Sequence, residues 1–584
     1  MVELRREGGS SLVAWGARGS GLIYNQALNN VGIDGLVGEG LQFVEAQSAE
    51  MGKRRVIQRA LRGTAPSGRI ALAVGLAASL AMIAGCGNAY RPVVSAIGVV
   101  GPAAQPLKYA VAVSSPGPSA NGLLTMVDFS GDTVLVTATL GVNPYYLALN
   151  SGGNTAYTLN SDDTVTSAEL SPSLISSQVL ETTLLAGANP LSIYAAPSIS
   201  YIADPGVDAI DQLFSTPPAL KQELPVGHGY TPVYVVGQGS ASRFYSIDQS
   251  TSGGLGQVEA IENATSSTTS PTISATLAVG RGPVYGVMTL DTRRAFIMNQ
   301  TDGTVTVINA LTNALDQFGP SITGFSIAGN VVTFTAQNTL LAGTSVTIAG
   351  LSTGTYLNGQ TLTVLPTGLS STQFEAAFTH ANVVSTADAG TAAITNSTIP
   401  VGVRPVWADL ASGLDELVVV NEGTGTSNGS VTIVNIPLCS STALPTNPNC
   451  DPTNPIDAST FGQVVATIPV GINPTMVSVL SDYSRAYVAN AGNPGLPCGT
   501  GAVGSGTTLC SVSVVNLSTD TVTATIPING HPAWIATTNA TPTGKVYVVC
   551  KDSQVMTVIK TDTDTVDTTI PLQGYGVSVR VTQP

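Results

Sequence analysis

Charged residues are scarce in this chain. Lys, Arg, Asp and Glu together make up 10% of it, and 36 acidic residues outnumber 22 basic ones. The net charge of −14 leaves no basic surface of the size that a phosphate backbone requires, so we expect no nucleic-acid partner. Lys and Glu, which favour helices, are few, whereas Gly (62) and Pro (35) are plentiful. The composition therefore predicts strands and turns.

Residues with typical catalytic or metal-binding patterns are also few. The three histidines are His228, His380 and His531, and neither a haem-attachment motif nor H-E-x-x-H is present. Three scattered histidines do not make a multi-histidine cluster. Two G-x-S-x-G matches, at 350–354 and 425–429, lie in Gly/Thr-rich turns without the strand-to-helix elbow that a nucleophilic serine needs. We therefore expect no catalytic residues, no metal site and no cofactor.

The N-terminal region contains one long apolar run, IALAVGLAASLAMIAGC at 70–86, which follows the basic MGKRR at 51–55. Its ending, IAGC, resembles a bacterial lipobox, which implies cleavage before Cys86 and lipidation of that cysteine. A transmembrane anchor is the alternative, but the run is short for a span. We expect a gene-start extension, disordered, over 1–50, a signal peptide over 51–85 and a linker over 86–107. The protein would then be exported and lipid-anchored in the bacterial cell envelope, at the outer membrane or cell surface, with a periplasmic face as the other choice.

The remaining cysteines form two locally spaced pairs and one leftover. Cys439 and Cys450 bracket one loop, and Cys498 and Cys510 bracket another. Outside the cytoplasm, such pairs are expected to form loop-closing disulfides. Cys550 is expected to be a buried free thiol.

A short Gly-to-Pro motif recurs along the chain, as in LGVNP (140–144), VGRGP (279–283), VGVRP (401–405) and VGINP (470–474). Eight such corners can be counted, ending at Pro144, Pro190, Pro232, Pro283, Pro405, Pro474, Pro532 and the degenerate Gly576. Their spacing, apart from three longer intervals, matches one four-stranded propeller blade. The pattern predicts an all-β protein, a β-propeller with eight blades, or seven if one weak corner is misread.

Prolines near the end of each fourth segment, such as Pro469 and Pro527, predict that the fourth strand is the outermost one, because proline cannot donate to a sheet ladder. Three segments precede the first corner and one follows the last. The C-terminal strand is therefore expected to pair with the N-terminal strands and to close the ring.

Second segments such as RAYVANAG and ELVVVNEG, together with the VGxxP corners, resemble the YVTN-type β-propeller repeat family of bacterial and archaeal surface proteins. Members of that family are usually seven-bladed. Residues 320–395 lack the corner motif and alternate at period two, which predicts an inserted small all-β module. The propeller would then occupy 108–319 and 396–584.

The corners supply the candidate ligand site, because they are expected to surround one mouth of the central channel. The variable residues there are Asn143, Asn189, His228, Arg281, Arg404, Asn473, His531 and Tyr575. They would make a locally basic mouth for an anionic ligand, although exposed corners also simply tolerate polar residues. Aromatic residues two positions past the corners either pack between blades or stack on sugars, and packing is the favoured interpretation.

These observations predict a non-catalytic, lipid-anchored envelope propeller, a monomer that acts as a binding or scaffolding module. Its partner would be an envelope protein, a glycan or a small anionic ligand. The alternative is a propeller enzyme of the lactonase or quinoprotein-dehydrogenase type, which rests on fold-level similarity alone.

Overall fold

The computed structural model describes residues 108–171, 174, 178–196, 199–215, 218–239, 242–262, 270–438, 460–538 and 544–582, and two short strands near the N-terminus. Cys86, Cys439, Cys450 and the signal region lie outside these residues. The chain divides into two compact units, Met1–Val100 and Gly101–Pro584. In the first unit, β1 (Glu3–Leu4) pairs antiparallel with β2 (Leu12–Val13). Within the described residues, no helix has the length and apolarity needed to cross a bilayer.

In the described residues, the second unit contains nine antiparallel sheets. Eight of them are meanders, which we number as blades in chain order, and the ninth is the inserted module. Blade 1 contains β3 (Tyr109–Ser115), β4 (Asn121–Asp128) and β5 (Thr133–Val142), and blade 2 contains β6 (Pro144–Leu149), β7 (Thr155–Asn160), β8 (Thr164–Glu169) and β9 (Val179–Thr183). Blade 3 contains β10 (Ser192–Ala195), β11 (Ile199–Asp204), β12 (Ala209–Ser215) and β13 (Pro218–Pro225). Blade 4 contains β14 (Tyr230–Val236), β15 (Phe244–Ser250), β16 (Leu255–Glu262) and β17 (Thr272–Arg281).

Blade 5 is interrupted by the inserted module, and blades 6 to 8 follow it. Blade 5 consists of β18 (Pro283–Met288), β19 (Arg294–Asn299), β20 (Thr304–Asn309), β21 (Ala314–Leu315) and β28 (Thr398–Pro400). Blade 6 contains β29 (Pro405–Ala411), β30 (Glu416–Asn421), β31 (Asn428–Asn435) and β32 (Val464–Ile472). Blade 7 contains β33 (Pro474–Val479), β34 (Arg485–Asn490), β35 (Ser511–Asn516) and β36 (Thr521–Pro527). Blade 8 contains β37 (Pro532–Thr537), β38 (Lys545–Cys550), β39 (Val555–Lys560) and β40 (Thr565–Pro571).

The last strand, β41 (Tyr575–Val581), completes blade 1. It pairs antiparallel with β3, with Val111 opposite Arg580 and Val113 opposite Ser578. The first strand of every blade contacts the first strands of the two neighbouring blades, and β41 closes this circle between β37 and β6. The prediction of an eight-bladed ring closed by the C-terminal strand is confirmed.

The module forms a six-stranded sheet in the order β25-β24-β27-β22-β23-β26. Its strands are β22 (Ser321–Ala328), β23 (Val331–Thr335), β24 (Ser345–Ala349), β25 (Thr361–Thr363), β26 (Gln373–Ala377) and β27 (Val383–Ile394), and 3-10 turns lie at Thr355–Leu357 and Thr395–Ser397. It interrupts the outer strand of blade 5, because β21 and β28 both pair with β20. The inserted all-β module is thus confirmed.

The corners have a backbone reason for their sequence. The residue before the proline has a positive φ at Asn143 (44°), Asn189 (58°), Arg404 (58°) and Asn473 (52°). Asparagine tolerates this left-handed conformation better than most residues, which explains its recurrence. The outer strands β13, β28, β36 and β40 each end in proline, as the sequence pattern predicted.

In four of the eight blades, a buried asparagine at the end of the second strand connects the corner to the third strand. In blade 7, Asn490 accepts a hydrogen bond from Gly471 N (3.1 Å) and donates to Ser511 Oγ (3.1 Å) and Ser513 Oγ (2.9 Å). The equivalent residues in blades 2, 5 and 6 are Asn160, Asn299 and Asn421, whose amides likewise donate to third-strand hydroxyls. This network links the corner to the blade in blades 2, 5, 6 and 7.

Blade 4 departs from this pattern. Asp248 occupies the asparagine position, opposite Pro232, and it is completely buried. Gln257 and Glu259 replace the two hydroxyl residues; Gln257 Nε2 donates to Asp248 Oδ2 at 3.2 Å. Burial, with a contribution from the charge of Glu259, raises the pKa of Asp248 to about 7.

Two pairs of adjacent blades are also joined by an aspartate whose carboxylate accepts hydrogen bonds from a tyrosine and a basic residue. Asp564, in the β39–β40 turn of blade 8, accepts hydrogen bonds from Arg485 Nη1 (2.8 Å) and Tyr487 Oη (2.6 Å) of blade 7. Asp132 of blade 1 accepts hydrogen bonds from Lys545 Nζ (2.6 Å) and Tyr547 Oη (3.1 Å) of blade 8. The second of these links lies across the closure of the ring.

Candidate functional site

The eight corner residues lie at one end of the ring, because every outer-to-inner connection of a four-stranded meander is at the same end. Arg281 Nε is 2.7 Å from Asp302 Oδ1, and Arg404 Nη2 is 2.9 Å from Glu422 Oε2. Both arginines are half exposed, but their charges are compensated by carboxylates of the next blade. A ligand at this end of the channel stays a prediction.

The other corner residues divide into bonded and exposed ones. Asn143 Oδ1 accepts from Ser115 Oγ (2.8 Å), and Asn473 Nδ2 donates to Gly492 O (3.3 Å). Asn189, His228 and Tyr575 are exposed. His531 is buried beside the disulfide that joins Cys498 to Cys510. Cys550 is free and buried.

The aromatic residues two positions past the corners fill the middle of the channel. Tyr285 stacks on Trp407 at 3.9 Å between ring centroids, and Tyr234 lies 4.8 Å from Tyr285. Trp534 contacts Trp407 edge to face at 5.3 Å and Tyr146 at 5.7 Å. These five rings, with Met476, form a continuous aromatic layer across the axis. These side chains pack mainly against one another, as expected if they fill the space between blades.

A cavity opens on the side of this aromatic layer that faces away from the corners. It has two lobes, of about 490 and 410 Å³, which share Gln238, Arg580 and Val581 in their walls. The walls come from the second halves of the inner strands and from the turns that follow them. None of the eight predicted corner residues lines either lobe. The volume falls within the range that small-molecule sites occupy.

Residues four positions past the corners form the ring that surrounds this cavity. Most are apolar or small, but two carry opposite charges: Asp409 in blade 6 and Arg580 in blade 1. The members that line the cavity are Ala148, Tyr194, Val287, Asp409, Ser478, Ala536 and Arg580. The cavity wall therefore combines apolar side chains with polar groups, two of which are charged.

Arg580 has unused hydrogen-bonding capacity. Its guanidinium carbon lies 4.4 Å from the centre of the Trp534 ring, and Nε donates to Leu147 O at 3.3 Å. In the part of the chain that the structure describes, its two terminal nitrogens have no hydrogen-bond partner. Stacking on Trp534 fixes the plane of the guanidinium and leaves this edge for a ligand.

Asp409 is held by the backbone. Its two carboxylate oxygens accept hydrogen bonds from Leu410 N and Val479 N, both at 2.8 Å. Burial raises its pKa to about 6, although these hydrogen bonds and the positive charge of Arg580 act in the opposite direction. Burial also keeps the phenols of Tyr234 and Tyr285 neutral by raising their pKa values. At neutral pH the cavity thus presents one carboxylate, one guanidinium and neutral aromatic rings.

Sequence analysis missed Arg580 and Asp409. A signal was present, since they are charged residues at the fourth position past a corner, on strands that are otherwise apolar. Comparing that position across all eight repeats would have singled out both.

Comparisons with known proteins add little beyond the fold. No known family profile and no curated protein matches the chain. Similar solved structures include a dihydro-heme d1 dehydrogenase, NirN, in complex with DHE (11% identity over 80% of this chain and 74% of that one, TM-score 0.47). Others are a putative 6-phosphogluconolactonase from Bacteroides fragilis (12%, 83% and 100%, 0.41) and apo AztD from Citrobacter koseri (10%, 81% and 97%, 0.39). At these scores the likenesses carry no argument about function. The chain is a β-propeller protein on the strength of its own eight sheets.

Proposed function

We propose that this protein is a non-catalytic, lipid-anchored envelope propeller that binds a small organic anion in the central cavity. The observation that carries the proposal is the Arg580 guanidinium, which lies in an aromatic-walled cavity with two terminal nitrogens unpaired among the described residues. A carboxylate, sulfonate or phosphate group would pair with that edge, and an apolar or aromatic portion would contact Tyr285 and Trp407.

The cavity offers little support for the enzyme alternative. Asp409 is the only carboxylate among its lining residues, and both of its oxygens already accept backbone N–H groups. Its carboxylate therefore connects the first strands of blades 6 and 7. The binding interpretation requires only Arg580 and the aromatic wall.

The test uses two probes that share their rings and differ in charge. The anionic dye 8-anilinonaphthalene-1-sulfonate should bind the purified full chain more tightly than N-phenyl-1-naphthylamine, which lacks the sulfonate. Arg580→Met should weaken sulfonate binding about 10- to 100-fold, because charge-assisted hydrogen bonds contribute about 1.5–3 kcal/mol. The same change should leave binding of the neutral probe within a few-fold.

The matched control is Arg281→Met, which removes an arginine at the corner end of the ring. Sulfonate affinity should not change in this variant. If Arg281→Met or Arg404→Met weakens binding and Arg580→Met does not, the ligand lies at the corners and the cavity proposal is wrong.

Envelope anchoring through Cys86 is a separate part of the proposal, supported by the lipobox-like sequence at 83–86. Cells that express the chain and are fed radiolabelled palmitate should label the protein. Cys86→Ser should remove the label and release the protein from the membrane fraction. Membrane association that persists without label would favour the transmembrane alternative.

A further inference from the structure

Three side chains with metal-binding atoms meet at the corner that enters blade 8. They are Cys498 and Cys510, joined as a disulfide, and His531. The two sulfurs and one ring nitrogen all lie within 4.8 Å of one another. Two of these residues come from the β34–β35 connection of blade 7, and the third comes from the corner itself.

His531 is oriented as metal-binding histidines usually are. Its side chain is buried, and Nδ1 faces Cys510 Sγ at 3.4 Å. On the opposite edge of the ring, Nε2 lies 3.7 Å from Asp552 Oδ2. The other oxygen of Asp552 accepts the backbone N–H of His531 at 2.6 Å, which fixes the carboxylate. A carboxylate behind the distal nitrogen is the typical outer partner of a histidine ligand.

We propose that reduction of the Cys498–Cys510 disulfide turns this cluster into a binding site for a thiophilic divalent cation such as Zn²⁺. The ligands are the two cysteine sulfurs and His531 Nδ1. Nδ1 donates a hydrogen bond to Ala491 O at 2.6 Å, and this oxygen lies 3.3 Å from Cys510 Sγ. The cation replaces that hydrogen bond, and the site has three protein ligands. Zn–S bonds of about 2.3 Å and Zn–N bonds of about 2.0 Å place tetrahedral ligands roughly 3.5 Å apart, close to the sulfur–nitrogen separation found here.

The reductive step balances with a dithiol as the reductant. One thiolate of the dithiol attacks Cys498 Sγ, the more accessible sulfur, and forms a mixed disulfide. The Cys498–Cys510 bond breaks and its electron pair leaves on Cys510 Sγ, beside His531. The second thiolate then releases Cys498 Sγ, and the dithiol departs as a disulfide. The cation binds the two cysteine thiolates and neutral His531, whose single ring proton moves from Nδ1 to Nε2, the nitrogen that faces Asp552.

The oxidation state therefore decides whether the cation binds. In an oxidising compartment the disulfide persists and holds the two sulfurs as a covalent bridge. A disulfide sulfur is a poor ligand compared with a thiolate, so the oxidised protein lacks two of the three side-chain ligands. The corner of blade 8 would be fastened by a disulfide in one state and by a metal ion in the other.

The test is a Co²⁺ titration of the full chain, since tetrahedral Co²⁺ with thiolate ligands gives visible d–d bands and a charge-transfer band. After reduction with a trialkylphosphine, which is then removed, one equivalent of Co²⁺ should produce both bands. The oxidised protein should produce neither. Cys498→Ser and Cys510→Ser should each abolish the charge-transfer band at that stoichiometry, and His531→Gln should weaken binding at least about tenfold.

Two controls separate this site from the other cysteines. Cys550→Ala should leave the titration unchanged, because Cys550 is buried and burial raises its pKa to about 12. The double variant Cys439→Ala, Cys450→Ala should also bind one equivalent. The proposal is overturned if the reduced protein binds no Co²⁺, if Cys498→Ser binds as the unmodified chain does, or if circular dichroism shows that reduction unfolds the propeller.

Discussion

Blade 4 allows a direct test of the asparagine network, because Asp248 stands where blades 2, 5, 6 and 7 have asparagine. The change Asp248→Asn restores the amide. Asp248 Oδ1 accepts from Ser246 Oγ, and the new side chain keeps an oxygen for that bond. Rotation of the Gln257 amide would then present an acceptor to the new Nδ2, as the third-strand hydroxyls do in other blades.

The magnitude follows from the pKa of Asp248, which burial raises from 3.8 to about 7. A buried carboxyl with a raised pKa is destabilising when ionised. The cost is absent below pH 3.8, grows as the pH rises, and is complete above pH 7. At about 1.4 kcal/mol per pKa unit, the upper limit is about 4 kcal/mol. Because the amide must itself be desolvated, we expect Asp248→Asn to increase the free energy of unfolding by about 1–3 kcal/mol at pH 8.

The assay is urea unfolding of both proteins at pH 5 and pH 8, followed by circular dichroism. At pH 5 native Asp248 is protonated but the unfolded carboxyl is ionised, so about 1.2 pKa units of the cost, roughly 1.6 kcal/mol, remain. The gain should therefore be about 2–3 kcal/mol smaller at pH 5 than at pH 8. Asp562→Asn, in an exposed turn, serves as the control and should change stability by less than about 0.5 kcal/mol at either pH. A variant that is less stable than the unmodified chain at pH 8, or an equal gain at both pH values, would refute the reasoning.

Three further predictions concern the links between blades and the cavity. Asp564→Ala removes the hydrogen-bond acceptor of Arg485 and Tyr487 and should lower the free energy of unfolding by about 2–4 kcal/mol in urea denaturation. A loss below about 0.5 kcal/mol would show that these hydrogen bonds do not hold blades 7 and 8 together. Trp534→Ala removes a buried ring from the aromatic layer and should cost about 3–5 kcal/mol in the same assay, so a neutral effect would show that the layer is not packed. Sulfonate affinity should rise as the pH falls from 8 to 5, because protonation of Asp409, whose pKa is about 6, removes a negative charge beside Arg580. Fluorescence titrations should show no such pH dependence in Asp409→Asn. A pH dependence that persists in this variant would argue against binding of the sulfonate beside Arg580.

The fold could be predicted from the sequence because its determinants are local and repeated. A left-handed residue before a proline, a proline at the end of an outer strand and an apolar second strand each leave a pattern within a few residues. Eight copies make the pattern readable despite weak members. The incomplete blades at the two chain ends predicted that the C-terminal strand closes the ring, and the pairing of Val111 with Arg580 confirms this.

The cavity could not be predicted in the same way, because it depends on distances around the ring. Arg580 approaches Trp534 only because β41 lies between β37 and β6 once the ring closes. A bulge also follows the corner proline, as between Pro405 and Trp407, and it shifts which side chains face the axis. The arginines that the sequence made conspicuous, Arg281 and Arg404, prove to be paired with neighbouring carboxylates.

The most direct test of the central claim is a crystal structure of the full chain with 8-anilinonaphthalene-1-sulfonate bound. We expect density for the dye in the channel, with the sulfonate at the terminal nitrogens of Arg580 and the rings against Tyr285 and Trp407. Dye at the corner end beside Arg281 and Arg404, or a central cavity left without dye at saturating concentration, would contradict it.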